Sequence, residues 1–145
     1  MTTTIDTLRP EDREAWGRLA LGYKDFYRTA HTPAEYDEAW RRLTEGDGVY
    51  AFAARREGRL VGIAHYLFHT SIWARDVCYL QDLFVDEGER GRGAAAALIE
   101  AVAQAARERG AARYYWLTQD TNTRARALYD RVAVNKGFIR YDHPM

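Results

Sequence analysis

The segment that most narrows what this chain can become runs from Val77 to Arg109. A strand-like run, Val77 to Val85, leads through Asp86-Glu87-Gly88-Glu89 into the turn Arg90-Gly91-Arg92-Gly93 and then an alanine-rich stretch to Arg109. A strand feeding a helix through a glycine turn needs a sheet with a helical layer against it, which points to an α/β domain with a mixed sheet. Alanine is the strongest helix former, Leu98, Ile99 and Val102 supply an apolar face, and Gly110 is suited to end the helix. The backbone N–H groups and positive dipole end at such a helix start converge on one spot that favours an anion. Gly91 and Gly93 let the backbone approach closely, Ala94 to Ala97 keep the first turn free of bulk, and Arg90 and Arg92 add charge suited to phosphates. An ordinary strand-to-helix connection has the same local appearance.

The remaining pattern is consistent with one domain over residues 1–145, a length near the commonest domain size. A short strand over 4–9 precedes a helix opened by Pro10 and carrying Trp16, Leu19, Ala20, Tyr23, Phe26 and Tyr27 on one stripe. Thr32-Pro33-Ala34-Glu35 reads as a capping box for a second helix bearing Tyr36, Trp40 and Leu43. Val49 to Arg55 and Leu60 to Phe68 flank a Glu57-Gly58 hairpin turn, and residues 112–118 form another strand. A helix over Thr123 to Val132 and a last strand over Phe138 to Tyr141 complete the expected order.

The glycine turn matches neither of two specific phosphate motifs in full. No Gly-Lys-Ser/Thr is present, which excludes a Walker-type loop. Gly91-x-Gly93-x-x-Ala96 fits the dinucleotide fingerprint formally. However, five residues separate Val85 from Gly91 where a tight turn is needed, and position 113, where an acidic ribose partner is expected, is Arg. The net charge of zero is a cancellation: residues 1–89 hold 11 Lys+Arg against 16 Asp+Glu, and residues 90–140 hold 10 against 4. The positive excess follows the glycine turn rather than an exposed recognition helix, which argues against a nucleic-acid binder. His65 and His69 have no partner spacing that supports a metal site. The lone Cys78 excludes an intrachain disulfide, and no apolar run reaches the ~20 residues that span a bilayer. The N-terminus has no signal-like region, so a cytoplasmic location is expected.

Arg90-x-x-Gly93-x-Ala95, preceded by Tyr79-Leu80-Gln81-Asp82-Leu83-Phe84-Val85, resembles motif A of the GNAT superfamily of acyl-CoA-dependent N-acetyltransferases. Asn122-x-x-Ala125-x-x-Leu128-Tyr129, followed by Gly137-Phe138, resembles that superfamily's second conserved block. Nearly the whole chain aligns, most closely with the yeast Hpa-type branch, whose members act on histones, polyamines or D-amino acids. The resemblance implies a GNAT fold: a mixed twisted central sheet flanked by about four helices, with a splayed strand pair forming an acyl-CoA cleft. It implies acetyl-CoA as co-substrate, no metal, direct transfer to a primary amine in a ternary complex, and a homodimer. The rival readings are a non-catalytic acyl-CoA sensor on the same fold and a protein-lysine acetyltransferase.

On this resemblance the pyrophosphate of coenzyme A would sit on the N–H groups from Arg90 through Gly91, Arg92, Gly93 and Ala94 to Ala95. Pantetheine would lie along Leu83, Phe84 and Val85 as an added strand. Asn122 matches a cofactor contact and is equally suited to cap the following helix. Tyr129 matches the tyrosine that protonates the departing thiolate, against the alternative of a core tyrosine beside Leu128. Relatives often carry Glu-Asp where this chain has Gln81-Asp82, and Gln81 cannot accept a proton. Asp82, on the opposite face of an ideal strand, is left to act as base, to work through water, to hold an ammonium or to pair with an arginine. The acceptor side is assigned to Tyr23, Tyr27 and Gln81, with His65, His69, Trp73 and Trp116 as further candidates and Asp76 or Glu35 nearby, each against the alternative of a core or rim residue. Deprotonating a lysine-like amine at pH 7 costs about 4–5 kcal/mol and an α-amine about 1 kcal/mol, so the former needs more help from the site.

Overall fold

The computed structural model describes residues 2–26 and 30–145. Its sheet has the order β1-β2-β3-β4-β5, with β1 at Thr3–Asp6, β2 at Tyr50–Arg56, β3 at Arg59–His69, β4 at Val77–Val85 and β5 at Arg113–Tyr115. The first four strands pair antiparallel and β5 joins β4 in parallel. Glu57 (φ 54) and Gly58 (φ 77) form the two-residue turn between β2 and β3, the positive-φ pair that matches the twist of a tight hairpin.

Helices α1 (Arg13–Phe26) and α2 (Pro33–Glu45) cover one face; α3 (Ala94–Arg109) covers the other, with α4 (Thr123–Val132) at its margin. The first face holds Trp16, Leu19, Ala20 and Ile63, while Leu98, Ile99 and Val102 of α3 meet Val61, Ala64 and Leu80 on the second. Thr32 and Glu35 form the expected capping box: Glu35 N donates to Thr32 Oγ1 at 3.2 Å, and Thr32 N to Glu35 Oε1 at 2.9 Å.

A buried ion pair fixes the first edge of the sheet. Arg55, 4% exposed, donates to both carboxylate oxygens of Asp12 at 2.8 and 2.6 Å and to Asp6 Oδ1 at 2.8 Å. This places the short 3-10 turn Pro10–Asp12, where the sequence suggested α-helix from the start, against β2.

Three expectations are corrected. The first strand ends at Asp6 rather than at residue 9. The strand expected over 112–118 is only Arg113–Tyr115, because its pairing with β4 stops at Tyr79↔Tyr115. Phe138 to Tyr141 is not a strand: residues 133–145 have no ladder partner among the described residues, and Phe138, Ile139 and Tyr141 are 91%, 77% and 87% exposed. Strand propensity without an adjacent edge gives no strand.

Candidate functional site

The short β4–β5 pairing opens a cleft. From Leu80 onward, β4 has no ladder partner on the β5 side among the described residues, and the chain beyond Tyr115 departs towards α4. A cavity of about 610 Å³ lies there, walled by the end of β4, the glycine turn, the start of α3 and one face of α4.

The glycine turn leaves open space beside its backbone. Gly91 and Gly93 have φ of +81° and +88°, a region costly for side-chain-bearing residues, and a Cβ on either would meet nothing within 4 Å. Gly93 is the N-cap of α3 and brings no side chain to close it, whereas Thr32 caps α2 and Asn122 caps α4. The first N–H groups of a helix have no partner within it, and Ala94, Ala95 and Ala96, which carry those of α3, line the cleft. Below the turn, Glu89 (7% exposed) lies 3.8 Å from Arg56, 3.2 Å from Arg59 and 3.6 Å from Arg92, and Arg56 also donates to the Arg92 carbonyl. These contacts tie the turn to β2 and β3.

The structure brings most of the expected residues to this cavity. Leu83, Phe84, Val85, Arg90, Gly91, Gly93, Ala94, Ala95, Asn122, Tyr129 and Tyr23 all line it. Arg92 does not; its side chain turns to Glu89. The Arg90 Nε donates to the Val85 carbonyl at 3.2 Å, and its guanidinium lies 5.5 Å above the Phe84 ring. Tyr23 meets Phe84 edge-on at 6.2 Å. Tyr129 meets Trp116 in the same manner at 5.4 Å. Asn122 both lines the cavity and accepts from Ala125 N at 3.4 Å, so capping α4 and facing the cleft coincide. Tyr27 lies outside the described residues.

Gln81 and Asp82 lie off the cavity wall, and strict alternation fails at them. The β3 partners pass from His65↔Asp82 to Tyr66↔Leu80, leaving Gln81 as an extra, exposed residue in a bulge. Asp82 turns to the α1 face and meets His65, with Nδ1 and Oδ2 2.9 Å apart. His65 therefore belongs to Asp82 and Trp16. His69 instead joins Tyr115, its Nε2 3.2 Å from the phenol oxygen, and Trp73 projects into solvent at 93% exposure. Cys78 is fully buried and burial pushes its thiol up to about 11, which leaves it no thiolate with which to carry an acyl group.

Sequence reasoning missed Arg124 and Arg131, which line the cavity from α4. Their signal was present: Arg124, Ala127, Leu128 and Arg131 follow the i, i+3, i+4, i+7 spacing of one helix face. Among the described residues there is no group of three or more His, Cys, Asp or Glu side chains able to hold a metal ion, and no helix long and apolar enough to cross a membrane.

Comparison with known proteins agrees with this geometry. The model of the acetyltransferase (GNAT) family matches residues 13–133. Over 142 residues the chain is 34% identical to a D-amino-acid N-acetyltransferase of Saccharomyces cerevisiae, covering 94% of this chain and 88% of that protein. It is 27% identical over 128 residues to a thialysine N-epsilon-acetyltransferase of Caenorhabditis elegans, covering 88% and 80%. Among solved structures, AAC(6')-Iy in complex with the bisubstrate analogue CoA-S-monomethyl-acetylneamine superposes with a TM-score of 0.86 at 19% identity, covering 100% of this chain and 99% of that one. A ribosomal-protein-alanine N-acetyltransferase from Brucella melitensis gives 0.84 at 22% identity, covering 99% and 100%.

Proposed function

The chain belongs to the acetyltransferase (GNAT) family and is an acetyl-CoA-dependent N-acetyltransferase, and from that premise we propose that it acetylates the primary amine of a small amino-acid-like molecule. The observation that carries the proposal is the cleft itself: an uncapped helix start, an unpaired stretch of β4 and a tyrosine on the facing helix share one cavity.

The residues present fit acetyl-CoA. Uncapped N–H groups of α3 and the arginines at 90, 124 and 131 suit phosphates, while the open edge of β4 suits an extended amide-containing arm. The bound thioester supplies an activated acetyl carbon. Backbone N–H on β4 near Leu83 or Phe84 steadies the oxyanion formed when the amine attacks. Tyr129 donates a proton to the departing sulfur, and Asp82 attracts the acceptor's ammonium group and assists its deprotonation.

An amino-acid amine is favoured because Asp82 offers one largely buried carboxylate for a single ammonium group. The yeast relative's D-amino-acid activity supports the same class. Free-thiol release should be measured against D- and L-amino acids, spermidine and a histone peptide. The expected result is turnover on amino acids well above that on the peptide. Turnover confined to the peptide would replace this reading with a protein-lysine acetyltransferase, and acetyl-CoA binding with no turnover on any amine would favour the sensor.

A further inference from the structure

Trp16 on α1, His65 on β3 and Asp82 on β4 form a hydrogen-bonded chain that crosses from the helical layer to the strand beside the cleft. Trp16 Nε1 donates to His65 Nε2 at 2.9 Å, and His65 Nδ1 lies 2.9 Å from Asp82 Oδ2. An indole N–H can only donate, so Nε2 is the lone-pair nitrogen and the ring proton sits on Nδ1, where it is donated to the carboxylate.

The chain is sheltered and its far end is fixed. Trp16 is 2% exposed, and the side chains of His65 and Asp82 are 14% and 17% exposed. The Trp16 ring packs at 5.3 Å against Trp40 and edge-on at 6.3 Å against Tyr36, both from α2. Arg13 lies 5.4 Å above the Trp16 ring and is ion-paired with Asp37 of α2, and β2 presents only Ala51 opposite His65. At its near end Asp82 directly precedes Leu83 and Phe84, both of which line the cleft.

We propose that His65 is a positioning residue: with its tautomer set by Trp16, it holds the Asp82 carboxylate in one orientation for the acceptor's ammonium group. The inference rests on the transferase reading above. A carboxylate whose plane is set before the acceptor arrives loses less freedom on binding it, and misplacement of such a group by about 1 Å can cost roughly 100-fold in rate. The bulge at Gln81 explains why a separate clamp is needed, since it frees Asp82 from the regular side-chain order of the strand.

The test combines His65→Leu, His65→Asn, Asp82→Asn and the double variant His65→Leu/Asp82→Asn. His65→Leu should lower kcat/KM for the amine roughly 10- to 100-fold while leaving the acetyl-CoA dissociation constant within about twofold. His65→Asn, which can still offer an N–H near the Nδ1 position, should recover most of that loss. In the Asp82→Asn background, His65→Leu should cost almost nothing further, because its effect passes through Asp82. Nitrogen-15 spectra of the wild-type protein should show His65 protonated at Nδ1. An amine kcat/KM unchanged in His65→Leu, an equal loss in the Asp82→Asn background, or a ring proton on Nε2 would each overturn the proposal. If acetyl-CoA binds but no amine is acetylated, the transferase reading falls instead, and the histidine spectrum still decides the clamp.

Discussion

Tyr129→Phe lowers the single-turnover acetyl-transfer rate by about 100-fold or more, the usual worth of a positioned proton donor, and leaves acetyl-CoA affinity within about twofold. The ring itself is structural, since it packs edge-on against Trp116 and beside the core reached by Leu128, and phenylalanine keeps those contacts. Only the hydroxyl is lost. Attack by the amine proceeds as before, but the sulfur must leave as an unprotonated thiolate or draw a proton from water. The loss therefore falls on the rate and not on cofactor binding, which we assign to the glycine turn and β4. An unchanged rate would remove the acid role from Tyr129 and return it to the core.

Asp12→Ala has its largest effect on stability. It leaves Arg55 charged and buried with Asp6 and the Thr7 carbonyl as partners, and breaking a buried pair in this way costs about 3 kcal/mol. For a domain of this length that lowers the melting temperature by roughly 10 °C. The pH dependence follows from the hydrogen bonds of the Arg55 guanidinium, which hold the Asp12 carboxyl below its ordinary value. A depressed carboxylate stabilises the fold above its unfolded pKa of about 3.9, and that contribution is lost as pH falls through the folded value. Wild type and variant should therefore differ fully above about pH 5 and converge in more acidic solution. A constant difference in melting temperature down to acidic pH would show that the loss is one of packing alone.

Much of this site was legible because its chemistry is local in sequence. The turn Arg90-Gly91-Arg92-Gly93 and the helix it opens announce an anion site through backbone requirements that only certain residues meet. The capping box at Thr32 and Glu35 and the Glu57-Gly58 turn are equally local and occur where the sequence places them. What sequence could not provide were facts that depend on a second element. The bulge at Gln81 is a mismatch of register between β3 and β4, invisible in either strand alone. His65 reads as one histidine in an apolar run, and its meaning comes from Trp16, 49 positions away, and Asp82, 17 positions away. Phe138 to Tyr141 carries strand-like residues, but a strand exists only against an edge, and composition does not say whether one is within reach. Arg92 looked like Arg90 in sequence, yet Glu89 beneath the turn draws its side chain aside.

The central claim is that the cleft at the splayed end of β4 is an acetyl-CoA site, and titration calorimetry of acetyl-CoA into the wild-type chain and Gly93→Val tests it most directly. Wild type should bind one acetyl-CoA per chain. In Gly93→Val, the side chain would enter the open space that a phosphate needs and strain a backbone at φ +88°, so binding should weaken by at least about tenfold. Absence of heat and of thermal stabilisation with the wild-type protein, or equal binding by the two proteins, would contradict the account.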